Sequence, residues 1–305
     1  MIKIVVSGGT GFIGSDICIE LLQKNYELII VTRNPYKYEA DKAKNLRYVS
    51  WNDSLHAIMD EADAVIHLAG EPLIGGRWTE SVKKKIYNSR IQSTRKLVKA
   101  MTLSKNRPKV FISASAAGYY GNAGLNWCSE EDSPGDNFLA KLCVDWEKEA
   151  KVAKELGVRV VNPRIGIVLG HNGGALKSML IPFRLGLGGS IGPGSQFMSW
   201  IHLRDLARAI IHFLEDDHIE GPVNMCAPEP VTMDVFTQIL AKTLHCLNLF
   251  TVPSFALKLI FGEGAQPILD SIRMKAGVLE VIGFHVYVRR FRRGTFRFSV
   301  EESLF

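Results

Sequence analysis

Short β-branched runs alternate with stretches of helical periodicity through the first half of the chain. Ile2 to Val6 reads as a strand, and the apolar positions Ile13, Ile17 and Leu21 then fall on one face of a helix. Further strands are predicted at Leu28 to Val31, Ala64 to His67, Val110 to Ser113 and Val158 to Asn162, separated by helical stretches that include Ser81 to Leu103 and Phe138 to Glu155. Strands alternating with helices of this length imply βαβ units, and therefore an α/β fold whose parallel sheet is covered on both faces. Glycine and proline become dense from Gly166 to Gly194. A helix (Leu203 to Glu215) and a short strand (Val223 to Met225) then resume the earlier style, and from about Pro228 the chain reads as helical with a basic end.

Composition narrows the class without naming an activity. The 305 residues are 47% hydrophobic and 22% charged, which suits one large or two smaller globular domains and excludes disorder, collagen and a disulfide mini-scaffold. The net charge of +6 is mostly local, because Arg289, Arg290, Arg292, Arg293 and Arg297 stand in a stretch with no acid. Without those five, 32 basic residues face 31 acidic ones, so the body is nearly neutral and does not ask for a polyanionic partner. Five scattered cysteines with no CxxC spacing read as reduced thiols. No secretory signal and no apolar run of about 20 residues is visible, so the chain is expected to be cytoplasmic, with no membrane partner.

The first functional signal is Ser7-Gly8-Gly9-Thr10-Gly11-Phe12-Ile13-Gly14, which closes the first strand and opens the first helix. Gly8, Gly11 and Gly14 supply a tight turn, a close backbone approach to a pyrophosphate and close helix-to-strand packing, with the phosphate at the positive end of the helix. The expected fold is a Rossmann-type doubly wound parallel sheet with a smaller, mostly helical C-terminal cap. Residues 1–170 would form the dinucleotide-binding domain with 201–227 returning to it, and 171–200 and 228–305 the substrate cap. Cofactor choice is read at the end of the second strand, where Val31-Thr32-Arg33-Asn34 has no acid for a ribose 2′-hydroxyl. Arg33, with Thr32 beside it, suits a 2′-phosphate, so NADP is favoured over NAD.

These motifs carry a resemblance. The N-terminal glycine motif, Asp63 to Gly70 and Trp200 to Ala207 look like the extended short-chain dehydrogenase/reductase superfamily. Ser113 to Gly121, Glu131 to Pro134 and Pro182 to Gly189 resemble its atypical epimerase family branch, and the likeness covers nearly the whole chain. It implies that Thr10, Phe12 and Ile13 join the glycines at the cofactor, that Leu68, Ala69 and Gly70 line the adenosine and pyrophosphate, and that Gly166 and Val168 lie by the nicotinamide. Arg90 stands where such proteins usually carry Asn-Val-x-Gly-Thr; it either reaches the cofactor phosphates or remains a solvent-facing cation.

The resemblance fails at the superfamily's Tyr-x-x-x-Lys pair, in which a lowered Tyr pKa allows proton transfer while hydride moves. Aligning Glu147 with the usual acid four places beyond the Lys puts Leu139 at the Tyr position and Cys143 at the Lys position. The literal match, Tyr38 to Lys42, falls in a loop. Ser115, Tyr120 and Lys141 are the substitutes to consider, each with a plain structural alternative. Gly188-Gly189-Ser190-Ile191-Gly192 matches a GxSxG elbow but lacks a leading strand, and is expected to be a glycine-rich lid. The eight histidines show no metal spacing, so no metal site is expected and His202 is read as a packing or pocket residue. Two functions remain: an NADP(H)-dependent oxidoreductase or epimerase-like enzyme on a small carbonyl or sugar-type substrate, or a non-catalytic NADPH-binding redox sensor or interaction partner, for example in cell division. The Arg-rich end lacks the residues of a nucleic-acid module, so no nucleic acid is expected, while a protein partner stays open.

Overall fold

The computed structural model describes residues 1–41, 44–170, 173–186 and 188–291. Seven strands in line build an eight-stranded parallel sheet: β1 (Lys3–Ser7), β2 (Glu27–Thr32), β3 (Leu46–Ser50), β4 (Ala64–His67), β5 (Val110–Ser113), β6 (Arg159–Ile165) and β7 (Gly221–Met225), the eighth being the short Ser115–Ala116 strand, which pairs with the end of β6. Their order is β7-β6-β5-β4-β1-β2-β3, and every pair runs parallel. The order reverses between β1 and β4, where a crevice must open at the carboxyl ends of the strands. Strand β3 has no sequence forecast because Leu46-Arg47-Tyr48-Val49-Ser50 lies at the sheet edge and is only half-buried. Strand β6 runs three residues past the predicted end, through Pro163 to Ile165.

Alternation along the strands decides what each face buries. Ile4, Val6, Leu28, Ile30, Ile66 and Ile112 point to the side covered by α1 (Phe12–Gln23) and α6 (Leu203–Glu215). Val5, Ile29, Val31, Val65 and Phe111 point to the side covered by α2 (Leu55–Met59) and α3 (Glu80–Leu103). Helix α4 (Phe138–Lys151) packs along α3, continues as a tighter turn to Leu156 and ends at the left-handed Gly157. The segment after α5 (Gly174–Arg184) returns through Trp200–His202 and α6 to place β7 on the sheet.

A second core lies between α5 and α7 (Met233–Leu244), where Leu180, Phe183, Trp200, Phe236 and Phe291 pack together. Gly189–Ile191 is a strand paired with Phe250–Val252, not the expected free lid, and a Cβ on Gly189 would strike the Phe250 carbonyl. His202 caps α6 by accepting the Arg204 N–H. Buried Asp205 accepts the N–H groups of Tyr287 and Val288 and fastens the C-terminal segment to α6, helped by Arg208 stacked on Tyr287. Arg290 pairs with Glu229, while Val286 and Phe291 are buried. Arg292, Arg293, Arg297, Phe296 and Phe298 lie outside the described residues, as does Lys42. Among the described residues no helix is long and apolar enough to cross a membrane, and all five cysteines are free thiols.

One buried polar cluster joins the two sides of the crossover. The His67 ring meets the Ser7 hydroxyl through Nδ1, and its Nε2 faces Thr94 and Ser93 on α3. Burial, with Arg90 nearby, pulls the His67 pKa from 6.5 down to about 3, so the ring is neutral in the fold. The unfolded chain therefore binds the extra proton between those values, and this contribution to stability is complete above pH 6.5 and lost as pH falls toward 3. Unfolding titrations of wild type and His67→Gln across this range are expected to differ in slope, with wild type losing up to about 1.4 kcal/mol more per pH unit; parallel curves would refute the neutral buried ring.

Candidate functional site

The glycine turn is shaped by close approach. Gly8 has φ +81, and a Cβ there would lie 2.7 Å from the Ala69 nitrogen; a Cβ on Gly14 would lie 2.2 Å from the Gly8 carbonyl oxygen. Gly11 is the α1 N-cap, without a side-chain cap or an acid in the first turn. The turn, the helix end and the Leu68–Ala69 backbone therefore meet with no side chain intruding, which fits a dinucleotide pyrophosphate. Thr10 is exposed on the same turn, and Phe12 lies against Gly173 and Gly174 at the start of α5.

Beyond the turn a cleft of about 650 Å³ opens at the carboxyl ends of β1, β4, β5 and β6. Phe12, Ile13, Leu68, Arg90, Gly166 and Val168, all forecast as cofactor positions, share its wall with Ser115. Its far side comes from α5, α7 and the 266–272 segment, including Met179, Met233, Phe236 and Ile268. Thr32 and Arg33 close β2 outside this cleft; the Arg33 side chain is 85% exposed and pairs with Glu71 at 3.0 Å. Arg90 is half-buried, donates to the Ile86 and Glu71 carbonyls and stacks on Trp146. Its guanidinium lies against Gly70, where an added Cβ would come 2.9 Å from Arg90 Cζ.

The three catalytic candidates are not brought together. Ser115 lines the cleft, but its hydroxyl donates to Glu147 Oε1 at 2.7 Å. Tyr120 is buried behind the wall, where its hydroxyl meets Ser129 and Asn224 and accepts from Arg164. Burial raises its pKa well above the ordinary value. Lys141 is exposed in a separate groove between α3 and α4, with Glu80 and Tyr87. What α4 presents to the cleft is Leu139, Leu142, Cys143 and Trp146, so the aligned Tyr and Lys positions face inward without either side chain. Burial pushes the Cys143 thiol up to about 11, and it stays protonated at neutral pH.

Behind this wall lies an ion pair that sequence reading did not assign. Arg164 on β6 and Glu147 on α4 form two hydrogen bonds of 2.9 and 3.1 Å with both side chains nearly inaccessible. Arg164 also donates to the Glu130 carbonyl and stacks on Tyr119. The signal was present in outline: a cation inside the apolar strand of residues 158–165, and a glutamate on the helix face that carries Leu139, Cys143 and Trp146. Asp270 and Gln196, also unassigned, line the far side of the cleft. Asp270 accepts from Asn137, the N-cap of α4, and Gln196 donates to the Ile191 carbonyl. Among the described residues no three His, Cys, Asp or Glu side chains gather to hold a metal.

Removing one partner of a buried pair strands the other charge. Glu147→Ala is expected to cost about 3–5 kcal/mol in chemical unfolding, and Glu147→Leu with Arg164→Met is expected to recover most of it. A loss below about 1 kcal/mol for Glu147→Ala, the range of an exposed pair, would contradict the buried geometry.

The NAD dependent epimerase/dehydratase family matches residues 4–226 of the chain. An epimerase family protein of Staphylococcus haemolyticus is 35% identical over 287 residues, covering 93% of this chain and 94% of that protein. One from Staphylococcus aureus (strain MRSA252) is 33% identical over 307 residues, covering 100% and 99%. The crystal structure of the human epimerase family protein SDR39U1 (isoform 2) with NADPH superposes with a TM-score of 0.89 at 32% identity over 99% of both chains. The match spans the glycine turn, the crossover and the cap together, and this chain therefore belongs to the NAD dependent epimerase/dehydratase family, with that family's short-chain-dehydrogenase-like, nicotinamide-dinucleotide-binding fold.

Proposed function

We propose that this protein is an NADP(H)-dependent oxidoreductase acting on a small carbonyl compound. The observation that carries the reading is the cleft, which continues past the forecast cofactor positions into a pocket walled by the cap. A chain that only held a dinucleotide would have no use for that second space. The bound dinucleotide supplies hydride chemistry; the chain supplies the seat, the orientation and a largely water-excluding wall.

Arg33 favours NADP over NAD in this reading. Its pairing with Glu71 is exposed, and an exposed pair is worth at most about 1 kcal/mol, so the guanidinium is free to exchange it for a 2′-phosphate at little cost. Thr32 stands beside it at the strand end. Arg90, half-buried and without a carboxylate partner among the described residues, adds positive charge on the same side of the cleft. The Ser115 proton is directed to Glu147, which leaves the hydroxyl oxygen as an acceptor toward the cleft. The human relative solved with NADPH supports the cofactor choice.

The second reading, a protein that holds NADPH without turning over a substrate, is favoured by one feature: α4 turns Leu139 and Cys143 to the cleft in place of a proton relay. Turnover separates the two. Fluorescence titration is expected to give tighter binding of NADPH than of NADH, with Arg33→Ala weakening NADPH about tenfold, the scale of one charge-assisted phosphate contact, and leaving NADH nearly unchanged. Equal losses for both cofactors would sink the assignment of Arg33. Oxidation of bound NADPH by any member of a carbonyl panel would exclude the non-catalytic reading.

A further inference from the structure

The charges of the cleft are unevenly placed. Among its lining residues the single cation is Arg90, which sits with Gly70 and Trp146 on the dinucleotide side. Among the described residues the cap side holds one charged group, and it is an acid, Asp270. It accepts a hydrogen bond from Asn137, and no cation among the described residues pairs with it. Met179, Met198, Met233, Phe236 and Ile268 give that wall most of its apolar surface.

Two neutral polar side chains there spend their hydrogens on the backbone, while the Gln196 Oε1 acceptor has no hydrogen-bond partner among the described residues and Ser178 also lines the space. Gln196 gives its amide hydrogens to the carbonyls of Ile191 and Ile268, and Ser199 donates to the Ile272 carbonyl while accepting the Met274 N–H. A ligand entering the cap side thus meets mainly methyl, thioether and phenyl groups, with Ser178 and one carboxylate among them. A nucleotide sugar would bring a diphosphate to a wall whose described residues include no cation to receive it and an acid to repel it, and burying such charge unpaired is prohibitive. An apolar chain or ring leaves water at no such cost.

We infer that the cap side of the cleft selects carbonyl compounds with an apolar body and no phosphate, in place of the nucleotide sugars bound by other members of the fold. This deepens the proposed function and rests on the glycine-turn side of the cleft being the dinucleotide seat.

Calorimetric titration of the purified protein with 2-pentanone, 2-hexanone, 2-octanone and UDP-glucose, each with and without NADPH, tests the inference. Affinity is expected to rise about fourfold per added methylene, with 2-octanone bound at least tenfold more tightly than UDP-glucose. Met179→Lys, checked for folding by its unfolding midpoint, is expected to narrow that gap at least tenfold. Tighter binding of UDP-glucose, a flat ketone series, or no binding of either ligand would overturn the inference. Failure of NADPH to bind would overturn the cofactor reading alone, because the ketone series in the cofactor-free protein still decides the substrate class.

Discussion

The buried pair between Arg164 and Glu147 is the constraint on which the site depends. Both side chains are withdrawn from water, so each charge must be answered inside the protein, and the answer fixes a wide set of backbone positions. Glu147 receives Arg164 and Ser115; Arg164 reaches Tyr120 and the Glu130 carbonyl as well. Strand β6, helix α4, the Ser115 strand end and the 117–130 segment are therefore held in one register. Tyr120 carries the network on to Asn224 on β7, whose amide donates to the carbonyls of Cys128 and Lys275. One ion pair thus ties the edge of the main sheet to the segment that closes the cap.

The same pair decides what chemistry the cleft can hold. In a short-chain dehydrogenase with the full signature, the serine at this strand end faces a tyrosine one helix turn before a lysine. Here the serine proton goes to Glu147, and the helix gives the cleft an aliphatic side chain and a protonated thiol. The wall is a supporting surface with hydrogen bonds directed away from the ligand space. What the described residues turn toward the cleft is mostly apolar area, with one guanidinium and Ser115 on the dinucleotide side and Ser178 and one carboxyl on the cap side.

Much of the fold is legible in the chain because it is built from local rules. Alternation at Ile4-Val5-Val6 and the later apolar runs announces buried parallel strands. The glycines at 8, 11 and 14 have contacts below 3.4 Å at the Cβ position, so their spacing in sequence already encodes the turn. Edge strand β3 was not legible, since a half-buried edge permits polar residues at any position. The Gly188 to Gly192 stretch looked mobile because its glycines suit loops, yet Gly189 is required there by the Phe250 carbonyl, 61 residues away in the chain.

By itself, then, the sequence determined the parallel α/β architecture, the dinucleotide turn and the standing of Leu139 and Cys143 four residues apart on one helix, since each is written in residues a few positions apart. Tertiary structure alone decided which candidate side chains share a space. Tyr120 and Ser115 are five residues apart, but only Ser115 faces the cleft, because the chain turns between them and buries the phenol against Arg164. The cleft's polarity is likewise a tertiary property. It arises from residues 196–199 and 266–272 meeting α5 and α7, and from hydrogen bonds that draw Gln196 and Ser199 toward backbone carbonyls distant in sequence.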